Sequence, residues 1–212
     1  MKSFSPACIF FDLDDTLYAP ERGVWREIAS RINRYLVERT GIPEPEVDAL
    51  RKRYFSEYGT ALNGLRVEHS VDPADYYRFV HDIPLEKYLA PDPALRRMLE
   101  ALPQKKLIFS NADRPYILRV LSTLDIEDCF NGIVDIFSTG FACKPMEASY
   151  RIAMQLAGSP QPEDCALVDD LPRNLKPARE MGMTGVLVHG KFPSASEEYQ
   201  IDSIYQLAEL IT

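Results

Sequence analysis

The chain has 212 residues, of which 46% are hydrophobic, 26% charged and 10% aromatic. That is enough apolar material for a substantial buried core, and it excludes the disordered, fibrous and low-complexity classes. A formal charge of −8 suits neither a nucleic-acid polymer, whose binding rests on Lys and Arg, nor any other anion unless a cation is supplied locally.

In chain order, the first element is the apolar run ACIFF at 7–11. It is far too short for a signal peptide and is interrupted at once by carboxylates. Residues 22–40 place Val24, Ile28, Ile32, Tyr35 and Leu36 at helical spacing, with Gly41 ending the run. Residues 44–58 and 73–81 also read as helices. Further apolar runs follow at 106–110 (KLIFS), 132–137 (GIVDIF), 165–169 (CALVD) and 184–188 (TGVLV). Continuous rather than alternating apolarity marks strands buried on both faces, as in a parallel sheet. Helical patterns at 114–124, 146–157 and 172–181 lie between the later runs, and Gly158 and Gly182 stand where left-handed C-caps are expected. The closing SIYQLAELI reads as one more helix.

Strand–helix alternation of this kind predicts an α/β fold with a doubly wound, Rossmann-like parallel sheet. Residues 12–105 break the alternation with no convincing strand, and a structureless loop of that length is improbable in a compact domain. The expectation is a helical cap at 18–90, inserted between the first and second strands of a core formed by 1–17 and 91–212.

Ligands of open parallel sheets bind beyond the carboxyl ends of the strands. There the sequence places Asp12, Asp14, Asp15 and Thr16 after the first run, and Ser110, Asn111 and Asp113 after the second. Lys144 follows the third run, and Asp169 and Asp170 end the fourth. Asp12 and Asp14, two apart in extended chain, project to the same side and repel each other unless a cation or proton lies between them. Aspartates also follow strands as ordinary solvated turns, but three in four residues directly after IFF favour a cation. With Asp169 and Asp170 they make a hard, oxygen-rich set suited to magnesium. Lys144 precedes a proline at which a helix can start, which aims a cation at the same edge. Ser110 is also placed to cap the following helix.

The segments FFDLDDTLY, FSNA, the lysine of CKP and VDDLPRN resemble, in order and spacing, the four motifs of the haloacid dehalogenase-like hydrolase superfamily. The likeness is to subfamily IA, with Asp-Asp in its last motif. The resemblance implies a magnesium-dependent phosphatase. Asp12 would be the nucleophile and Asp14 the acid and base, while Ser110 and the Asn111 amide would bind the phosphoryl group. Lys144 would balance charge, and Asp12, the Asp14 carbonyl, Asp169 and Asp170 would hold Mg²⁺, Asp169 directly or through water. Thr16 would order the first loop. Dehalogenating relatives need neither the acid nor the metal, so phosphate chemistry is favoured.

The cap segment is aromatic, with Tyr54, Phe55, Tyr58, Tyr76, Tyr77 and Phe79. Most of these are expected in a small helical core, with one or two left to stack on a planar substrate. YGTALNGL, His69 and YYRFVHDIPLEKYL resemble the pyrimidine 5′-nucleotidase-like branch. That implies a nucleoside monophosphate substrate met by Asn63, His69 and Arg114; His69 serves equally as a histidine satisfied within the cap. His81 and His189 are read as structural. The alternatives are a phosphatase for another small ester (sugar phosphate, phosphoglycolate, flavin phosphate) and a non-catalytic, phospho-accepting or interaction protein. The four cysteines, Cys8, Cys129, Cys143 and Cys165, show no paired metal or redox spacing and read as buried thiols of a reducing, cytoplasmic compartment. A monomer or homodimer with no membrane partner is expected.

Overall fold

The computed structural model describes residues 3–188 and 199–212; His189 lies outside the described residues. Six strands form one sheet among these: β1 (Cys8–Phe11), β2 (Lys105–Phe109), β3 (Gly132–Val134), β4 (Cys165–Asp169), β5 (Thr184–Val188) and β6 (Tyr199–Ile201). Every pairing is parallel, in the order β3-β2-β1-β4-β5-β6. The apolar runs are continuous because the central strands are covered on both faces: Cys8–Phe11 and Cys165–Asp169 are buried throughout. β1 is flanked by β2 and β4, so its carboxyl end opens between two neighbours.

The chain divides into two compact units, Met1–Arg22 with Leu89–Thr212, and Gly23–Tyr88. The second begins at a left-handed glycine, Gly23 (φ 83°). It holds α1 (Val24–Thr40), α2 (Glu44–Tyr58), α3 (Ala61–His69) and α4 (Pro73–Val80). α1 buries Val24, Ile28, Ile32, Tyr35 and Leu36 and ends at Gly41, whose N–H returns to the carbonyls of Leu36 and Val37. α3, which the sequence reading leaves unassigned, starts at a Thr60 cap whose hydroxyl accepts from the Asn63 N–H. α4 is capped by Asp72, with Pro73 at its first position.

In the sheet-bearing unit, α5 (Pro93–Ala101) begins with Asp92 accepting from the Ala94 and Leu95 amides. α6 (Arg114–Leu124), α7 (Glu147–Leu156), α8 (Pro172–Glu180) and the short α9 (Leu207–Leu210) complete it. Gly158 and Gly182 adopt the expected left-handed φ of 89° and 100°.

Two expectations are corrected. The run 132–137 leaves the sheet at Val134 because the Asp135 carboxylate accepts the amides of Phe137 and Ser138 and turns the chain. SIYQLAELI is not one helix: a single tight turn, Ile204–Gln206, opened by a Ser203/Gln206 capping box, precedes α9. α7, Glu147–Leu156, falls within the expected 146–157, and the Lys144–Pro145 peptide before it is cis. Among the described residues no helix is long and apolar enough to cross a membrane.

Candidate active site

Asp12 is the first residue beyond β1, and its N–H still pairs with the Val168 carbonyl at 2.9 Å. The chain then turns tightly: the amides of Thr16 and Leu17 return to the Leu13 carbonyl, and Asp15 takes the left-handed φ of 58° that a short polar side chain tolerates. Thr16, fully buried, points its Oγ1 to within 3.4 Å of Asp12 Oδ2. It thereby links the turn to the strand end.

Lys144 is almost wholly buried, and its Nζ lies 2.7 Å from both Asp12 Oδ1 and Asp169 Oδ2. Burial works against the ammonium, but the Asp12 and Asp169 charges outweigh it and hold the lysine pKa above its ordinary value. The lysine's backbone is fixed by a side chain from another segment: Asn111 Oδ1 accepts from the Lys144 N–H at 2.8 Å, and Asn111 Nδ2 donates to its carbonyl at 3.1 Å. The side-chain amide of Asn111 thus grips Lys144. Ser110, buried beyond β2, accepts from the Ala112 N–H at 3.1 Å through Oγ. It orders its own turn; Asp113, not Ser110, stands at the N-cap of α6.

Asp169 is fully buried and saturated. Its Oδ1 accepts from the Leu171 N–H and Asn174 Nδ2, both at 2.9 Å, and its Oδ2 from Lys144 and, at 3.1 Å, Asn174. Three donor groups make four hydrogen bonds to its roughly four lone-pair positions. Asn174 is positioned in turn by Tyr150, whose hydroxyl donates to the Asn174 carbonyl at 2.6 Å.

Oxygens of Asp12, Asp169 and Asp170 lie within 4.8 Å of one another. Burial, together with the Asp169 and Asp14 charges, pushes the Asp12 carboxyl up to about 7 despite Lys144. Burial and the charges of Asp169, Asp12 and Asp15 push Asp170 up to about 9. This oxygen set, with one lysine against three carboxylates, is short of positive charge, and a hard divalent cation fits it.

Asp14 is held separately. Its Oδ1 accepts from the hydroxyls of Tyr18 and, at 2.7 Å, Tyr116.

The structure therefore brings Asp12, Lys144, Asp169 and Asp170 together. The three candidates named for substrate recognition make bonds within their own units. Arg114 reaches Asp135 at 3.4 Å and the Ile133 carbonyl at 3.2 Å, at the end of β3. Asn63, in the helical unit, is buried, donates to the Tyr58 carbonyl and accepts from Arg66. His69 is exposed and bonds the Tyr54 hydroxyl at 3.0 Å. Of the aromatics there, Tyr54, Tyr76 and Tyr77 are buried, His81 stacks on Tyr77, and Phe55 is 42% exposed.

Asn174, Tyr150, Tyr18 and Tyr116 escaped the sequence reading. Tyr18 carried a signal, four residues after Asp14, as did Asn174, five after Asp169. Tyr116, 102 residues from its partner, carried none.

A doubly wound core whose central strand ends in a buried, lysine-bridged aspartate defines a class of hydrolase. The chain matches the family model of haloacid dehalogenase-like hydrolases over residues 6–182, and it belongs to that family. Phosphate metabolism protein 8 of Saccharomyces cerevisiae (strain ATCC 204508 / S288c) is 30% identical over 208 residues, covering 92% of this chain and 63% of its own. The chain thus spans less than two thirds of that relative's length. Similar solved structures include the HAD-hydrolase YfnB from Bacillus subtilis bound to magnesium (16% identity, 99% of this chain and 100% of that one, TM-score 0.66). A HAD phosphatase from Thermococcus onnurineus (18%, 99% and 97%, 0.64) and L-2-haloacid dehalogenase from Xanthobacter autotrophicus (13%, 97% and 98%, 0.61) share the fold.

Proposed function

We propose that this hydrolase is a magnesium-dependent phosphomonoesterase that works through an aspartyl-phosphate on Asp12. The observation that carries the reading is the lysine shared between Asp12 and Asp169 at 2.7 Å, set among three carboxylates. A carboxylate attacking a phosphate must overcome like charge, and this arrangement answers that need. Asp12, Asp170 and the Asp14 carbonyl would hold the ion; Asp169, its lone pairs already engaged, would touch it only through water. When bound, the ion supplies positive charge that keeps the carboxylates ionised and offsets the charge of the phosphate.

The chain's own residues carry the steps. An Asp12 oxygen forms a bond to phosphorus as the ester P–O bond breaks, and Asp14 gives its proton to the departing oxygen. A water then attacks the phosphoryl group, Asp14 takes its proton, and the Asp12–phosphorus bond breaks to free phosphate. Lys144 stays protonated throughout and steadies Asp12 in both states. Asp14 and the second acidic pair favour this chemistry over dehalogenation, and the name of the yeast relative is consistent with it.

For substrate, the resemblance of the 58–90 region to the pyrimidine 5′-nucleotidase-like branch favours nucleoside 5′-monophosphates, with Gly23–Tyr88 as the cap that selects them. Another small phosphate ester is the second reading. The partner is a small molecule, and four cysteines outside any disulfide suit a reducing compartment.

The test is phosphate release from nucleoside monophosphates and sugar phosphates, with magnesium and with chelator. The expected result is magnesium-dependent turnover, fastest on UMP or CMP and absent in Asp12→Asn. Turnover confined to other esters would remove the nucleotidase, and turnover surviving in Asp12→Asn would remove the mechanism.

A further inference from the structure

Asp12 and Asp14 are two residues apart, yet different parts of the fold hold them. Asp12 answers to Lys144 and Thr16. Asp14 answers to two phenols, Tyr18 from the turn after β1 and Tyr116 from the first turn of α6. Both rings are buried, Tyr18 at 5% exposure and Tyr116 at 1%. Burial, and next the Asp14 charge, hold both hydroxyls well above the ordinary tyrosine pKa. Packing alone asks for a ring at these positions. It does not ask for two hydroxyls converging on one oxygen.

A carboxylate oxygen has two lone pairs, and Oδ1 of Asp14 spends both on these phenols. We propose that Tyr18 and Tyr116 are positioning residues: they pin Oδ1, so the proton that Asp14 gives to the leaving oxygen and takes back from water travels on Oδ2. In the protonated acid Oδ1 is the carbonyl oxygen, which still accepts from both phenols. The two hydroxyls therefore keep their partner through the whole cycle, and the carboxyl need not rotate between its two tasks. This rests on the reading of Asp14 as acid and base of a phosphatase.

The test exploits the leaving group. An alkyl phosphate needs a proton on its departing oxygen, whereas p-nitrophenyl phosphate releases an anion stable without one. The quantity to measure is kcat/KM for the alkyl ester that the enzyme cleaves fastest, divided by kcat/KM for p-nitrophenyl phosphate. It is compared across wild type, Tyr18→Phe and Tyr116→Phe, each checked by circular dichroism and melting. In each variant this ratio should fall about tenfold, part of the 10²–10⁴ that a positioned acid contributes. In an Asp14→Asn background the same substitutions should leave the ratio unchanged. A variant that merely loosens the fold lowers both esters alike, so an unchanged ratio in folded variants overturns the proposal. The two substitutions are read separately, and one folded variant suffices to decide. A wild type that releases phosphate from neither ester overturns instead the phosphatase reading beneath it.

Discussion

Asn174 turns its amide onto both oxygens of Asp169, 2.9 Å from Oδ1 and 3.1 Å from Oδ2. The carboxylate that steadies Lys144 is thus itself steadied from α8, and Tyr150 fixes the asparagine by its carbonyl. Asn174→Ala leaves a buried carboxylate short of donors, a loss of about 1–3 kcal/mol. A urea titration should show that cost. Turnover should fall about tenfold, the usual lower bound for losing a partner that orients a functional ligand, with KM little changed.

Lys144 is 1% exposed and bridges two carboxylates. Lys144→Met leaves both without their cation, and breaking a buried pair in this way costs about 3–5 kcal/mol. Urea unfolding of the chelated protein at pH 7.5 should register it, and phosphate release should vanish. Lys144→Arg should not restore activity, because a planar fork with five donors does not occupy the place of one compact ammonium.

The two raised carboxyls predict a pH dependence for the metal-free protein. Unfolded, each titrates near 4 or slightly below, at about 3.9; folded, Asp12 is raised to about 7 and Asp170 to about 9. Between those values the folded state binds more protons than the unfolded one. Their contribution to stability is fully present below the unfolded pKa and is lost as pH rises through the folded values. The melting temperature in chelator should therefore decline from pH 6 to pH 9, by at least about 5 °C for a chain of this size. Asp170→Asn should flatten the upper part of that decline, and saturating magnesium should flatten most of it. A chelated melting curve that holds level across this range would contradict the assignment.

In the helical unit, a Cβ on Gly64 would lie 2.2 Å from Cγ of Tyr54, a fully buried ring. α3 can approach α2 this closely only because position 64 has no side chain. Gly64→Ala should destabilise by about 1–3 kcal/mol, the usual cost of overpacking, measured by thermal unfolding. The unit it disturbs holds none of Asp12, Ser110, Lys144, Asp169 or Asp170; if it is the cap proposed above, any change in turnover should depend on the substrate.

The parts legible in the sequence are those where one physical effect dominates. CALVD and TGVLV coincide with β4 and β5 because a strand buried on both faces must be apolar throughout. Residues 114–124 coincide with α6 because apolar spacing, a proline near the start and the polar residue that ends the run agree. β6 escaped because three residues of an outer strand carry too little pattern, and α3 because Gly64, needed for packing, weakens the helical signal. The acidic edge residues are legible because carboxylates after apolar runs stand out. Their supports are less so: Tyr18 and Asn174 at least stand near the carboxylates they serve, whereas Tyr116 and Tyr150 look like ordinary core until distant contacts give their hydroxyls a task.

The position of β1 has a consequence for how the molecule is made. Its neighbours arrive late in the chain, β2 from Lys105 and β4 from Cys165. A ribosome therefore releases IFF and its aspartates long before anything exists for them to pair with. The helical unit Gly23–Tyr88 is contiguous and has its whole complement of internal partners once residue 88 has emerged. Local contacts close early and distant ones late. The bonds of Lys144, spanning 132 and 25 residues, close only when the sheet does. In refolding from urea, helical signal should return first, and recovery of turnover should time the completion of the sheet.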